Sequence, residues 1–276
     1  MRPEEDRDAA VTTVQMLRLS REGVAEKRSD DTAKEEPLEI RVEGRSVAVV
    51  MRTPGHDEEL TAGFLVTEGV VQKPRDILEI TQCPVTTESK GNVVDVLLGG
   101  AMVQWESLTR HVFSASSCGL CGKTSIESVF QKFPATSVNW SVPAELLWTL
   151  PDKLREAQET FSKTGGLHAS AIFDREGNLV VLREDVGRHN ALDKVLGYCL
   201  LQGMLPLNEH ILLVSGRVSF EIIQKALAGG IGLVAAISAP SSLAVEFAAE
   251  AGQTLVGFLR SGTLNVYTHP ERLMLP

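Results

Sequence analysis

Two cysteines three positions apart, Cys118 and Cys121, sit in the run SASSCGLCGKTSIESVF, among glycines and serines and just ahead of an apolar stretch. Thr124 and Glu127 have the spacing of a capping box, which predicts a helix over about Ser125 to Phe133. Both thiols then precede its first turn, where unpaired backbone N–H groups and the helix dipole stabilise a thiolate. Lys123 adds a positive charge, and Gly119 and Gly122 leave the sulfurs unshielded. That is the chemistry of an exposed, activated thiol. A structural zinc site usually takes four Cys or His ligands, often as two paired motifs, and no second C-x-x-C is present, so no permanent metal is expected. A thioredoxin-like centre places its pair after the first strand of a βαβ unit, whereas this pair is mid-chain; a dithiol redox centre stays open as the chief alternative. The string GLCGKT imitates the end of a Walker A loop, but the required first glycine falls on Ser117.

In four segments of the second half a strand ends in small polar residues and a helix or turn begins. In LLVSGRVSF, Ser215, Gly216 and Arg217 follow a strand and precede a helix. In AAISAPSSLAV, Ser238 to Ser242 do the same, with Ser241 or Ser242 as the cap. Bare N–H groups at helix starts bind phosphate, ligands of open α/β sheets gather beyond the carboxyl ends of the strands, and Arg217 can fork a phosphate. Ordinary helices carry serine caps too, so it is the repetition at one sheet edge that points to a site. In REDVGRHNALDK, Arg188, His189 and Asn190 crowd the first turn of a helix; the competing reading is an ion-pair cluster with Glu184 or Asp185 serving Arg188. The fourth segment is Phe258, Leu259, Arg260, Ser261, Gly262 and Thr263, a strand leaving the core into a glycine turn. Its aromatic can stack on a base and its arginine hold a phosphate, or the segment is a hairpin turn with an exposed arginine. His168, after Gly165 and Gly166, stands at a strand entrance as a proton donor or substrate contact, although a lone histidine is more often structural. His56 with Asp57, Glu58 and Glu59 reads as an acidic, capped first turn with Asp57 as cap.

The elements that must position these groups follow from periodicity. Residues 1–34 are charged and aperiodic and read as a mobile tail with one short strand around Val14 to Leu19. LEIRVEGRSVAVVMRT is a hairpin turning at Glu43-Gly44-Arg45, Asp57 to Gly69 an amphipathic helix, and ILEITQ and NVVDVLLGG two more strands. Residues 35–113 thus form a smaller α+β portion. In residues 114–276 a helix from about Pro143 to Thr164 precedes the strand pair LHASAIF and NLVVLRE, turning at Asp174 to Gly177. A helix from Arg188 carries Leu192, Val195, Leu196, Cys199 and Leu200 at helical spacing. Strands and helices then alternate, which predicts a mostly parallel sheet with helices on both faces.

Composition bounds the function. With 276 residues, 43% of them hydrophobic, the chain can bury a large core. Its formal net charge of −9 argues against a nucleic-acid partner. Four cysteines, two of them solitary at Cys83 and Cys199, and a charged start without an apolar core point to a reducing cytosol, and no apolar run is long enough for a membrane span.

The strings EEPLEIRV, MRTPGHDEELTAGFLVTEG, SSCGLCGK, TGGLHASA, REDVGRHNALDK, LLVSGR, SAPSSLAVE and GFLRSGTLNVYTHP resemble the FdhD/NarQ family of sulfur carriers over about Glu35 to Pro270. The resemblance implies a cytidine-deaminase-like three-layer α/β core and a dimeric cytoplasmic protein. It further implies that Cys118 accepts persulfide sulfur from a cysteine desulfurase, with Cys121 as companion, and that the sulfur passes to the bis-guanine-dinucleotide molybdenum cofactor before insertion into formate dehydrogenase. Phe258 to Thr263 match the family's cofactor-binding stretch, with the other loops as walls of the same pocket. Deamination is not implied: that chemistry uses H-x-E with a later P-C-x-x-C, whereas His168-Ala169-Ser170 lacks the glutamate and the cysteine pair comes earlier. A non-catalytic cofactor chaperone is the third reading, one that would survive loss of both cysteines.

Overall fold

The computed structural model describes residues 10–21, 23, 25–84, 91–100, 105–108 and 133–275. The Cys118 and Cys121 loop, the helix expected after it and the division expected at residue 114 all lie outside those residues.

The first element is not the single short strand expected before Lys34. Strand β1 (Val11–Leu19) pairs antiparallel with β2 (Ala25–Ala33), so the stretch carries a hairpin. Cross-strand side-chain bonds, from Thr13 to Asp31 and from Gln15 to Ser29, hold a register that hydrophobic periodicity alone does not reveal.

Strands β3 (Glu36–Val42) and β4 (Arg45–Arg52) form the expected hairpin, with Glu43 and Gly44 both at positive φ in its turn. Helix α1 (Asp57–Thr67) follows, then β5 (Ile77–Gln82), β6 (Val93–Leu98) and a single helical turn α2 (Trp105–Leu108). The four strands make one sheet in the order β4-β3-β6-β5. Leu38, Ile40 and Val42 of β3 and Val94 and Val96 of β6 face Leu60 and Leu65 of α1 in one core, as period-2 and period-3.6 patterns require. One expectation fails here: His56, at φ 58, occupies the helix start, and Asp57 inside the first turn instead grips Arg52 through two bonds of 2.8 and 2.7 Å.

After a short β7 (Val142–Pro143), the helix expected over Pro143 to Thr164 is two: α3 (Ala144–Ala157) and α4 (Glu159–Thr164). The break at Gln158 has a tertiary cause. The Glu184 carboxylate accepts bonds from the amides of Thr160 and Phe161, at 2.9 and 2.8 Å, and so caps a second helix start.

The remaining elements are β8 (His168–Phe173), β9 (Leu179–Asp185), α5 (Arg188–Leu201), β10 (Ile211–Val214), α6 (Phe220–Ala228), β11 (Leu233–Ala236), α7 (Ser242–Glu250), β12 (Thr254–Arg260), β13 (Thr263–Thr268) and β14 (Leu273–Met274). Six of these strands form the main sheet, β13-β12-β11-β10-β8-β9, while β14 pairs with β7. Alternate residues serve opposite cores. Ile172, Leu212, Val234 and Leu255 meet α5, α6 and α7, whereas Phe173, Leu213, Leu233 and Val256 meet Leu147, Leu150 and Leu154 of α3.

The α/β class and the helices on both faces are as expected, but the mostly parallel sheet is not. Only β10 with β11 and β11 with β12 run parallel, while β8 with β9, β8 with β10, and β12 with β13 are antiparallel. The chain enters the sheet through one tight hairpin and leaves through another, and such turns join only antiparallel strands. Among the described residues no helix is long and apolar enough to cross a membrane.

The two sheets are joined where α1 crosses α5. A Cβ on Gly63 would lie 1.7 Å from the Asp193 carbonyl oxygen, and one on Gly197 would lie 1.8 Å from that of Glu59. Only glycine at both positions lets the helix backbones meet. Around the crossing, buried charges are paired: Arg52 with Asp57, Lys194 with Asp185 at 2.8 Å, and Lys225 with Asp193 at 2.7 Å.

Candidate functional site

A cleft of about 560 Å³ opens beside the end of the main sheet. One wall is the α3–α4 elbow, contributing Asp152, Arg155, Gln158 and Phe161; the other comprises His168, Ser215, Ile237, Leu259, Arg260 and Ser261. Two of the four loops singled out in the sequence thus line one region, together with His168, and Ile237 brings the start of a third to its edge. His168 and the strand-end residue Ser215 line it directly, and so do Leu259, Arg260 and Ser261 from the β12–β13 turn.

Each of these side chains has a structural reason for its position. Ser215 is locked to the first residues of β8: its Oγ accepts from the Ala169 amide at 2.9 Å, and its own amide donates to the Ala169 carbonyl at 2.9 Å. His168 is half-buried against Gly216, where a Cβ would lie only 3.2 Å from its Nδ1, so the glycine makes room for the ring. Burial pushes the His168 imidazole below its ordinary pKa; Arg188, His189 and Arg217 push it the same way, and Asp185 opposes them. Arg260 turns back over the strand end, donating from Nη1 to the carbonyls of Ile237 and, at 2.8 Å, Leu259. Ser261 donates to Asp152 at 3.1 Å and ties the turn to the elbow. The turn itself is built by Gly262 at φ 101, and Phe258, a non-glycine at φ 51 that is 43% exposed, sits in the β12 irregularity just before it.

The remaining site candidates are arranged around this cleft rather than in its lining. The Asn190 amide is committed to structure, donating to the Met51 carbonyl at 2.7 Å and to Asp185 at 3.0 Å. His189 is buried, with Nε2 3.1 Å from Glu221. The carboxylates proposed to serve Arg188 are engaged elsewhere, Asp185 with Lys194 and Glu184 with α4, and Arg188 Nε is buried without a hydrogen-bond partner among the described residues. Arg217 is exposed beside His168. The Ser238 carbonyl accepts from the Phe258 amide at 3.1 Å, which sets where the aromatic emerges. Thr263 begins β13, and Ser241 caps α7 as expected, its Oγ accepting from the Ala244 amide.

Sequence reasoning missed the elbow. Asp152, Arg155, Gln158 and Phe161 fall within the single helix expected over Pro143 to Thr164, where 152 and 161 would point to opposite sides; the cation of Arg155 lies 5.8 Å from the Phe161 ring, a pairing visible only once Glu184 has broken the helix. Of the two solitary cysteines, Cys199 is fully buried and its thiol is pushed up to about 12 by that burial, so it is an inert core residue.

A bound molecule in this cleft would meet an arginine, an imidazole kept neutral at neutral pH, serine hydroxyls and an adjacent exposed aromatic. This is a set suited to a nucleotide's phosphate and base.

A sequence profile described as the FdhD/NarQ family matches residues 33–274. Among curated proteins, the chain is 49% identical over 267 residues to "Sulfur carrier protein FdhD" of Streptomyces avermitilis, covering 92% of this chain and 93% of that protein. It is 48% identical to the protein of the same name from Mycobacterium tuberculosis, covering 89% and 92%. The Sulfolobus acidocaldarius protein is 43% identical, covering 92% and 96%. Among solved structures, it resembles a candidate formate dehydrogenase accessory protein of Desulfotalea psychrophila with TM-score 0.76 and 26% identity, over 96% of this chain and 100% of that one.

Proposed function

We propose that this chain, which belongs to the FdhD/NarQ family, carries sulfur in the maturation of formate dehydrogenase, using Cys118 as the persulfide-bearing cysteine and the cleft as the seat of the acceptor. The observation that supports this most is the convergence of His168, Ser215, Arg260 and Ser261 on one nucleotide-sized cleft, from segments far apart in sequence.

The first step is thiol exchange. The Cys118 thiolate attacks the outer sulfur of a cysteine desulfurase persulfide; a new S–S bond forms on Cys118, the old one breaks, and the desulfurase cysteine leaves as thiolate. Cys121 acts as companion. The acceptor is the bis-guanine-dinucleotide molybdenum cofactor, held as substrate before insertion into the formate dehydrogenase apoenzyme. Arg260 with the β12–β13 turn takes a phosphate, and exposed Phe258 offers a stacking face for guanine. Beside His168, Arg188 and Arg217 add positive charge in a protein whose net charge is −9. In this reading the main sheet with its two helical layers is the cytidine-deaminase-like core of residues 114–276, and the portion over residues 35–113 braces it through α1. The protein acts in the cytoplasm as a homodimer and as a sulfurtransferase.

The test is intact mass after incubation with a cysteine desulfurase and cysteine. A reducible gain of sulfur is expected for the native chain and for Cys121→Ala, and its loss in Cys118→Ala. If no sulfur is gained while the desulfurase is active, the carrier reading falls and a cofactor chaperone replaces it. If loss of either cysteine abolishes activity without any persulfide forming, a dithiol oxidoreductase replaces it.

A further inference from the structure

The β1–β2 hairpin is a ribbon of two nine-residue strands with no third strand beside either edge among the described residues. Isolated two-stranded ribbons are marginal in water, and an open edge of unpaired amides and carbonyls is a template for another strand. This ribbon also exposes Val14, Leu17 and Leu19, three large apolar side chains 38, 56 and 72% accessible. Its C-terminal end, Asp31 to Ala33, is half-buried, but residues 25–30 are exposed. Natural edges usually carry charges that repel other strands, and β2 is charged; the order of its charges, however, does the opposite.

The order is Glu26, Lys27, Arg28, Ser29, Asp30, Asp31. Two bases precede a serine and two acids follow it. When a second copy of β2 is laid antiparallel with the two Ser29 residues facing, Lys27 stands opposite Asp31 of the second copy and Arg28 opposite Asp30 of the second copy, each twice by symmetry. A shift of one residue toward the N-terminus places Glu26 opposite Asp31, like charge on like; a shift the other way leaves Lys27 facing Thr32. The alignment centred on Ser29 is the one that pairs every base with an acid, and opposite charges directly across a strand pair attract while like charges repel. We propose that the free edge of β2 is the interface of the homodimer, joining two ribbons into a four-stranded sheet about a two-fold axis through Ser29. This rests on the homodimer reading above and gives that dimer its surface.

The occupant is a second copy because the pattern is self-complementary under a two-fold rotation, the defining property of an isologous interface. The groups are free to make the contact. Arg28 is half-exposed and, among the described residues, pairs with its own near neighbour Glu26 at 2.7 Å, and Asp31 is braced by Thr13 at 2.7 Å through one of its two oxygens.

The test uses the full chain and reads its mass in solution by analytical ultracentrifugation. Lys27→Glu with Arg28→Glu makes the edge wholly acidic, and Asp30→Lys with Asp31→Lys leaves it with four bases. Each variant alone is expected to dissociate at least about tenfold more readily than the native chain, and an equimolar mixture of the two is expected to recover a dimer, since each edge now complements the other. Separately, with Cys118 and Cys121 changed to serine, Ser29→Cys should give a reducible covalent dimer and Lys27→Cys should not, because facing Cα atoms of an antiparallel pair lie about 4.5–5.5 Å apart, within disulfide reach. If the charge variants remain dimeric and Ser29→Cys does not cross-link, the interface lies elsewhere and only this inference falls. If the native chain is monomeric at micromolar concentration, the dimer reading falls with it.

Discussion

At the crossing of α1 and α5, Lys194 is fully buried against Asp185 and also donates to the Thr53 carbonyl at 2.8 Å; Asp193 is held by Lys225 and by Thr67. Beside the cleft, five and six residues before Asp193 and Lys194, Arg188 keeps a buried Nε without a hydrogen-bond partner among the described residues, and His168 has its imidazole pKa lowered by burial. Both regions draw on the same motif, REDVGRHNALDK. Its members Asp185, Asn190, Asp193 and Lys194 face the seam, where every charge is matched. Arg188 faces the neighbourhood of His168, where matching is incomplete. A buried charge that is fully satisfied serves the fold, and one left short of partners is available to a ligand. Residue type does not separate the two roles, but completeness of pairing does.

The comparison can be broken at its strongest point. Lys194→Met leaves Asp185 buried without its cation and should cost about 3–5 kcal/mol of unfolding free energy in urea, with the loss extending to both sheets because Asp185 also takes the Thr53 amide. Next in size is Gly197→Ala, whose methyl meets the Glu59 carbonyl; a loss of about 2–3 kcal/mol is expected, and a change below about 0.5 kcal/mol would show that the helices can separate without penalty. On the cleft side, Arg260→Ala should leave unfolding within about 0.5 kcal/mol of the native chain yet weaken binding of guanosine diphosphate, the probe read by calorimetry, by about tenfold or more. The smallest effect concerns pH. Because the folded-state pKa of His168 is lowered, the unfolded chain takes up a proton that the folded chain resists, so stability is lost as pH falls below about 6.5. His168→Gln should flatten that loss, read as a smaller difference between the urea unfolding midpoints at pH 7 and pH 5 than the native chain shows. His210, shifted in the same direction by burial, retains the rest.

Most elements were legible because their signals are local. The turns at Glu43-Gly44 and at Asp174 to Gly177, the apolar stripe of α5 and the serine cap of α7 each depend on residues within a few positions of one another. What escaped depends on distance along the chain. The break between α3 and α4 is made by Glu184, 24 residues after Thr160. The roles inside REDVGRHNALDK are assigned by Thr53, Met51 and Lys225, which no window around the motif contains. The direction of the strands was misjudged for a related reason: alternation of strands and helices predicts crossovers, but a hairpin at each end of the sheet leaves β8 and β13 running against the other four strands. For the cleft, the polar loops were visible as loops, while their convergence required the sheet, and the elbow that closes it required Glu184.

That carboxylate sits on β9, the outermost strand of the main sheet, and holds the first amides of α4 from behind. The far wall of the cleft is therefore tied to the sheet's margin at Glu184, as it is to the β12–β13 turn through Ser261 and Asp152. The preceding residue of the same strand, Arg183, is held by Glu59 of α1 at 2.8 Å. Two adjacent residues of one rim strand thus fasten the cleft wall on one side and the helix of the smaller sheet on the other, so the two sheets share a single seam of attachment.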